Sequence, residues 1–241
     1  MAVDLGFDES GSGDTLLVSV QVGITEQAKK LKKHWNRRLG TLEYFHSKDF
    51  NNYTSGIFTK AGLTRPQRHT LLKDLAQIIR NRLFLGITSR VIKSQYDQNT
   101  SQEFRSRHCT AYGFLIYICV NLAAQLAAEL DIKPDFNILV EDGHRNAQQV
   151  AQGLKRLLLP EGVRILTSGL GSKKDHPILQ ASDMFAYSQW QGISNGDPTI
   201  WMALFGSETT QYHPWIIDCD QDVIRAFVKG NTPKRFVTDA R

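Results

Sequence analysis

The sequence predicts a single α/β domain over residues 1–241, and three observations lead to that prediction. The last third alternates between strands, at 136–140 and 163–166, and helices, at 146–159 and 177–191. Such alternation is typical of parallel strands joined by right-handed crossovers. Two apolar runs around a polar turn near the start predict a β-hairpin. Finally, 241 residues can bury one sizeable core.

The rest of the chain predicts further elements in order. The hairpin strands are placed at 2–7 and 15–22, and Thr64-Arg65-Pro66-Gln67 is a capping box that begins a helix. Residues 40–82 are interpreted as an insertion and residues from about 195 to 241 as a C-terminal extension. The other expected elements are helices at 25–38 and about 101–130 and strands at 42–45 and 83–92.

Composition narrows the class of protein. The chain has 29 Lys and Arg against 24 Asp and Glu, a net charge of +5 that is compatible with a polyanionic partner. Its three cysteines lack Cys-x-x-Cys spacing, which excludes a zinc knuckle and indicates a reducing interior. No basic segment precedes an apolar one at the start, so we expect no signal peptide and a cytoplasmic protein. The apolar run 111–128 carries Asn121 and Gln125 and predicts a buried helix, not a membrane span.

Three acidic motifs lie far apart in the sequence. Asp8 follows the first strand and is expected at its last paired position, Glu141 and Asp142 end the strand at 136–140, and Asp183 interrupts an apolar helix. A carboxylate at the end of an apolar run is costly to bury unless a positive group meets it. Each motif also has a structural explanation: a solvated turn, a helix N-cap, and an ion pair with Lys173 or Lys174, respectively.

A divalent cation would account for all three motifs together. Mg²⁺ prefers hard oxygen ligands, and two ions ~3.5–4 Å apart can activate water and stabilise the leaving oxygen of a phosphodiester. The sequence has no Gly-x-Ser-x-Gly, no complete phosphate loop and no His-Glu-x-x-His. We therefore expect Mg²⁺ or Mn²⁺, as two ions, on Asp8, Glu141, Asp142 and Asp183.

The motifs resemble a known family. Three segments are similar to motifs of domain-of-unknown-function family 3800. They are Asp8-Glu9-Ser10-Gly11, Glu-Asp-Gly-His-Arg-Asn at 141–146, and Ser-Lys-Lys-Asp-His-Pro at 172–177, which leads into Leu-Gln-Ala-Ser-Asp at 179–183. That family is regarded as RNase H-like, and the resemblance covers roughly residues 1–190. It implies a mixed five-stranded sheet flanked by helices, with acids in the first strand, at the end of the fourth, and in the last core helix.

The usual helix Glu of RNase H is not obvious in this sequence, so the fourth ligand stays open. Glu103 begins the predicted long helix, and Glu43 lies in a Glu-Tyr-Phe-His segment that resembles one in many family members. His144 is a candidate to protonate a leaving group or to position water, although a histidine beside a helix start commonly caps it. His46 is a weaker candidate of the same kind.

Two lysines and a serine are assigned to substrate binding together with His46. Lys173 and Lys174 would contact phosphate or would only neutralise Asp183, and Ser10 lies in the first acidic motif. The basic face of the 25–38 helix, with Trp35 within it, and a second strip at 105–108 are candidates for contact with a nucleic-acid backbone.

The leading hypothesis is a divalent-metal-dependent nuclease. The alternative is a catalytically impaired RNase H-like scaffold that binds nucleic acid or a protein partner in a defence or mobile-element system. A third hypothesis is a phosphatase-like or nucleotide-processing enzyme on the same site. The aromatic C-terminal region is expected to cover the sheet or to form a homodimer contact through Trp201, Phe205, Trp215 and Ile216–Ile217.

Overall fold

A mixed six-stranded sheet organises the protein. The computed structural model describes residues 1–107, 109–194, 199–205 and 213–230. The strands are β1 (Ala2–Ser10), β2 (Thr15–Ile24), β3 (Leu85–Ile92), β4 (Asp135–Glu141), β5 (Arg164–Gly171) and β6 (His213–Asp218). Their order in the sheet is β5-β4-β1-β2-β3-β6. Strands β1, β2 and β3 pair antiparallel, whereas β4 with β1, β5 with β4, and β6 with β3 pair parallel.

This architecture is the predicted mixed sheet flanked by helices, with six strands in place of the expected five. The sixth strand, β6, comes from the C-terminal extension and lies parallel to β3. The helices are α1 (Thr25–Leu39), α2 (Ser47–Phe50), α3 (Ile57–Lys60), α4 (Arg65–Arg82), α5 (Lys93–Asn99), α6 (Gln102–Arg107), α7 (Ala111–Glu129), α8 (Ala147–Leu154), α9 (Pro177–Ser194), α10 (Thr199–Phe205) and α11 (Gln221–Val228).

Two predicted elements differ from the structure. The strand expected at 42–45 is an irregular segment that leads into α2. The single helix expected at about 101–130 is two helices, because Thr110 caps a new one: its hydroxyl accepts a hydrogen bond from the Gly113 N–H at 3.4 Å. In the basic strip predicted at 105–108, His108 and the side chain of Arg107 lie outside the described residues.

The two faces of the sheet carry separate hydrophobic cores. One core joins the sheet to α7 and α8 and includes Leu5 and Phe7 of β1. The other joins α9 to α1 and α4 and includes Trp35 and Phe185. Side chains of a strand alternate between faces, so Gly6 and Asp8 point toward α9 while Phe7 and Glu9 point toward α7. This alternation divides the acidic motifs between two sides of the sheet.

Helix α7 is long and apolar enough to cross a membrane by length and composition alone. About 61% of its most apolar window is buried inside the protein, as is usual for the core helix of a folded domain. The C-terminal region also packs within the chain: Ile217 is buried, and Trp215 packs against the core around α7. Both residues lie within the sheet itself, as part of β6, and do not support the predicted homodimer contact. The side chains of Trp201 and Phe205 lie outside the described residues.

A buried arginine holds the insertion in place. The Arg68 side chain of α4 is 2% exposed and donates hydrogen bonds to the carbonyl oxygens of Phe50 at 3.1 Å, Asn52 at 2.7 Å and Leu63 at 3.2 Å. Its guanidinium also donates to Thr59 Oγ1 at 2.8 Å. Buried carbonyl groups need donors, so this one side chain orders the segment that contains α2 and α3.

Candidate active site

Asp8 lies inside β1 and beside α9. Its Cα partner on β2 is Ser19, and the pairing continues through Ser10, so Asp8 is not at the last paired position as predicted. A Cβ atom on Gly6 would lie 2.8 Å from Ile178 of α9, and the Ser182 hydroxyl donates to the Gly6 carbonyl oxygen at 2.5 Å. The absence of a side chain on Gly6 thus lets α9 lie directly on β1. This close approach brings Asp183 next to Asp8.

Three carboxylates meet at one ammonium group. The Lys173 Nζ lies 2.9 Å from Asp8 Oδ2, 3.2 Å from Asp183 Oδ1 and 3.9 Å from Glu141 Oε1. Both aspartates are almost fully buried, and the Lys173 side chain is 14% exposed. The structure therefore brings together one predicted acid from each of the three motifs, and the predicted phosphate contact Lys173 lies at their centre.

One positive charge cannot neutralise three carboxylates in a buried site. Burial raises the pKa of Asp8 well above its ordinary value, and Lys173 offsets only part of that effect. Burial also acts to raise the pKa of Asp183, but Lys173, His46 and hydrogen bonds from Ser47 outweigh it and lower the pKa overall. Burial lowers the pKa of Lys173, and the carboxylates, Asp183 first, more than reverse this and raise it. Lys173 is therefore charged, and Asp8 takes up a proton more readily than Asp183 does.

Glu9 forms a second group with His144 on the other face of β1. Burial, together with the charge of Glu141, raises the pKa of Glu9 from 4.5 to about 7. The His144 Nε2 lies 3.9 Å from Glu9 Oε2, and its ring stacks on Tyr112 with centroids 3.8 Å apart. The Asn146 N–H donates to His144 Nδ1 at 3.1 Å, so the neutral imidazole carries its proton on Nε2, toward Glu9. Burial and the charge of Arg145 lower the pKa of His144.

Sequence reasoning gave no role to Glu9, Gln180 or Ser47. Glu9 adjoins Asp8, and alternation in a strand directs its side chain to the opposite face of the sheet from Asp8. Gln180 accepts hydrogen bonds from Trp35 Nε1 at 2.7 Å and from the Phe45 N–H at 2.6 Å, and it donates to the Lys173 carbonyl oxygen at 2.6 Å. The Ser47 N–H donates to Asp183 Oδ2 at 2.6 Å. A polar Gln180 in an apolar helix, three residues before Asp183, was the available signal.

The other predicted site residues lie outside the acidic cluster. Asp142 is exposed in the turn after β4, and its N–H donates to the Gly171 carbonyl oxygen at 3.0 Å. Glu43 is exposed and pairs with Lys174 at 2.8 Å. His46 precedes α2 with its Nδ1 3.4 Å from Asp49 Oδ2, and its charge reaches Asp183 only at longer range.

Neither Ser10 nor Glu103 makes a described contact with the cluster. Ser10 is the last residue of β1 and is partly exposed. Glu103 is an exposed residue in the first turn of α6. The fourth acid that the family resemblance leaves open is thus not supplied by Glu103 or Glu43 through any contact that we observe in the described part of the chain.

The donor set suits a hard divalent cation even though lysine lies within it. In the residues described, no group of three or more His, Cys, Asp or Glu side chains is spaced to hold a metal ion as the structure stands. One buried oxygen of the cluster, Asp8 Oδ1, nevertheless accepts no hydrogen bond from the described residues. A buried carboxylate oxygen without a donor is costly, and a cation bound by oxygen ligands would satisfy it. The residues therefore fit Mg²⁺ or Mn²⁺ if the Lys173 side chain moves aside.

Comparisons with known proteins add two distant structural similarities. No protein-family model matches the sequence, and no curated protein matches it. Ribonuclease H2 from Pyrococcus horikoshii OT3 is 16% identical, with a TM-score of 0.38, over 88% of this chain and 81% of that one. A mutant protein of Bst-RNase HIII is 13% identical, with a TM-score of 0.34, over 97% of this chain and 71% of that one. Both similarities are weak and assign no activity to this chain.

Proposed function

We propose that this chain is a divalent-metal-dependent nuclease of domain-of-unknown-function family 3800. The observation that carries the proposal is the convergence of Asp8, Glu141 and Asp183 from two parallel strands and one helix. The carboxyl ends of β1 and β4 lie at a place where open α/β sheets commonly bind ligands. Buried carboxylates gathered on one face are expensive to maintain and are typical of functional sites.

In the proposed mechanism, Asp8, Glu141 and Asp183 would hold Mg²⁺ or Mn²⁺, while Glu9 lies on the other face of β1 with His144. When bound, the metal supplies an activated water and stabilises the leaving oxygen. Lys173 would then contact the phosphate, since its ammonium lies among the same oxygens.

His144 would act as the proton donor or would position the water. Its Nε2–H lies toward Glu9, and stacking on Tyr112 fixes the orientation of the ring. A histidine with a lowered pKa is largely neutral near pH 7, and because Nδ1 accepts a hydrogen bond from the Asn146 N–H, Nε2–H is the group that would donate to a water or a leaving oxygen.

The proposal is tested by Asp183→Asn in cleavage assays on single-stranded, duplex and hybrid substrates with Mg²⁺ or Mn²⁺. We expect cleavage to fall at least about 100-fold, because the amide cannot supply the same charge to a metal. Asp175→Asn is the matched control, since Asp175 is an exposed acid in the turn before α9. Cleavage by Asp183→Asn at the wild-type rate would refute the proposal.

The ion pairs of Lys173 favour one alternative, an RNase H-like scaffold that binds nucleic acid or a protein without catalysis. Lys173 partly neutralises the acids without any metal. Calorimetric titration with Mn²⁺ separates the two proposals: uptake that Asp8→Asn removes supports the nuclease, and no uptake by the wild type supports the scaffold. Turnover of mononucleotides without polymer cleavage would instead support a nucleotide-processing enzyme. A cytoplasmic location stays a prediction.

A further inference from the structure

Helix α1 carries a row of cations without ion-pair partners. Its residues Lys30, Lys32, Lys33 and Arg37 are exposed, and none of them is in an ion pair with a described residue. The neighbouring charges of α1 are paired instead: Lys29 contacts Glu26 at 2.7 Å, and Arg38 contacts Asp74 at 2.5 Å. The positive charge of the four exposed side chains is therefore available to an external anion.

The exposed side of α1 is cationic and contains no exposed apolar side chain. Leu31, Trp35 and Leu39 are buried against the second core, and Trp35 donates its indole N–H to Gln180. Trp35 therefore cannot stack on a base, contrary to its predicted place within the basic strip. Within α1, which the structure describes in full, exposed positions are polar or charged. Membrane insertion needs an exposed apolar face, so this surface suits a hydrophilic polyanion.

The row adjoins α4 at one end, because Arg82 of α4 donates a hydrogen bond to the Gln27 Oε1 of α1 at 3.2 Å. Desolvation and the positive charges of Arg82, Arg37, Lys33 and Lys30 lower the pKa of His34. On the other flank, Lys32 is near enough to His176 to help lower its pKa, after the larger effect of burial.

His176 lies three residues after Lys173 and directly before α9. The hydrogen bond from Trp35 to Gln180 fixes α1 against α9, and Gln180 in turn donates to the Lys173 carbonyl oxygen. Lys32, on the flank of α1 away from Lys30, Lys33 and Arg37, is thus the basic side chain nearest the loop that supplies the central lysine.

We infer that the basic face of α1, formed by Lys30, Lys32, Lys33 and Arg37 with Arg82 of α4, binds the sugar-phosphate backbone of a polynucleotide and directs it to the acidic cluster. The inference rests on the proposed function for its substrate class. Lys30 and Arg37 are separated by about 10 Å along the helix axis. A strand of B-form DNA places about three phosphates in that length. A mononucleotide has no second or third phosphodiester for such a row to bind.

The test measures binding without cleavage. Fluorescence anisotropy of labelled 20-nucleotide DNA, RNA and duplex probes in EDTA would compare wild type with the triple variant Lys30→Gln/Lys33→Gln/Arg37→Gln. Glutamine keeps the helix propensity of α1. The matched control is Lys133→Gln/Lys155→Gln/Arg156→Gln, which removes the same charge from exposed positions elsewhere.

We expect the triple variant to bind roughly 100-fold more weakly near 0.1 M salt, and the slope of log K against log salt to shrink by about 2 to 3. The control should keep most of the wild-type slope. Equal slopes for the triple variant and the control would overturn the inference, as would wild-type binding to phosphatidylserine vesicles but to none of the oligonucleotides.

Cleavage assays on the same proteins keep the two proposals apart. If the triple variant loses binding while wild type shows no cleavage with Mg²⁺ or Mn²⁺, the surface stands and the nuclease is wrong. If wild type cleaves and the triple variant binds like the control, the nuclease stands and the surface is wrong. Preference for DNA or RNA in the wild-type arms identifies which polymer the surface takes.

Discussion

Replacing Lys173 by methionine removes the one positive charge at the centre of the acidic cluster while keeping most of its apolar stem. Three carboxylate groups lie within 3.9 Å of its ammonium group, two of them almost fully buried. Removing one partner of a buried ion pair costs about 3 to 5 kcal/mol, because the remaining charge is left uncompensated. We expect a loss of this size in the free energy of unfolding of Lys173→Met, measured by urea denaturation at pH 7 in EDTA.

Added Mn²⁺ should then restore stability more in the variant than in the wild type. A divalent cation can take the position of the ammonium group, and at 100 times its Kd it stabilises the folded state by about 2.7 kcal/mol. The control is Lys174→Met, since the neighbouring lysine is exposed and pairs with the exposed Glu43. A loss no larger than that of the control, or a Mn²⁺ response equal to that of wild type, would refute the view that Lys173 and a metal compete for the same oxygens.

Two further predictions concern pH and the insertion. The pKa of Glu9 is about 7 in the folded protein against an ordinary 4.5, so its contribution to stability is full below pH 4.5 and is lost as pH rises through 7. In EDTA, Glu9→Gln should therefore flatten the fall in unfolding free energy between pH 4.5 and 7, and a pH profile parallel to that of wild type would contradict this. Arg68→Met should cost about 3 kcal/mol in urea denaturation, because three carbonyl groups, one buried and two partly buried, lose a donor. The exposed Arg65→Met is its control, and equal losses in the two variants would show that Arg68 does not hold the insertion.

Local patterns in the sequence predicted most of the sheet and the main acids. The hairpin and the alternating last third follow from side-chain periodicity, which depends on near neighbours. The position of β6 could not be predicted, because its pairing with β3 joins residues more than 100 positions apart. The position of Lys173 among three acids could not be predicted from the sequence either. The sequence suggested a pair with Asp183, but contact with Asp8 and Glu141 depends on how three distant elements pack together.

The choice between Glu141 and Asp142 was within reach of the sequence. Phe136, Ile138 and Val140 face the core around α7, so alternation directs residue 141 to the opposite face, where Asp183 lies. Extending the predicted strand from residue 140 to residue 141 would have identified Glu141 as the acid that faces Asp183. Asp142 instead follows the strand in a turn. The missing information was the end of one strand, which local patterns define least well.

The contact between Gly6 and Ile178 makes the spacing of the acids depend on two residues that carry no charge. A methyl group at position 6 would meet Ile178 at 2.8 Å and push the helix outward, taking its aspartate with it. A homologue with a larger residue at position 6 therefore needs a smaller one at position 178. Divergent sequences can consequently retain every acid and still lose the geometry, and these two apolar positions are the ones to compare when judging whether a distant homologue keeps a working centre.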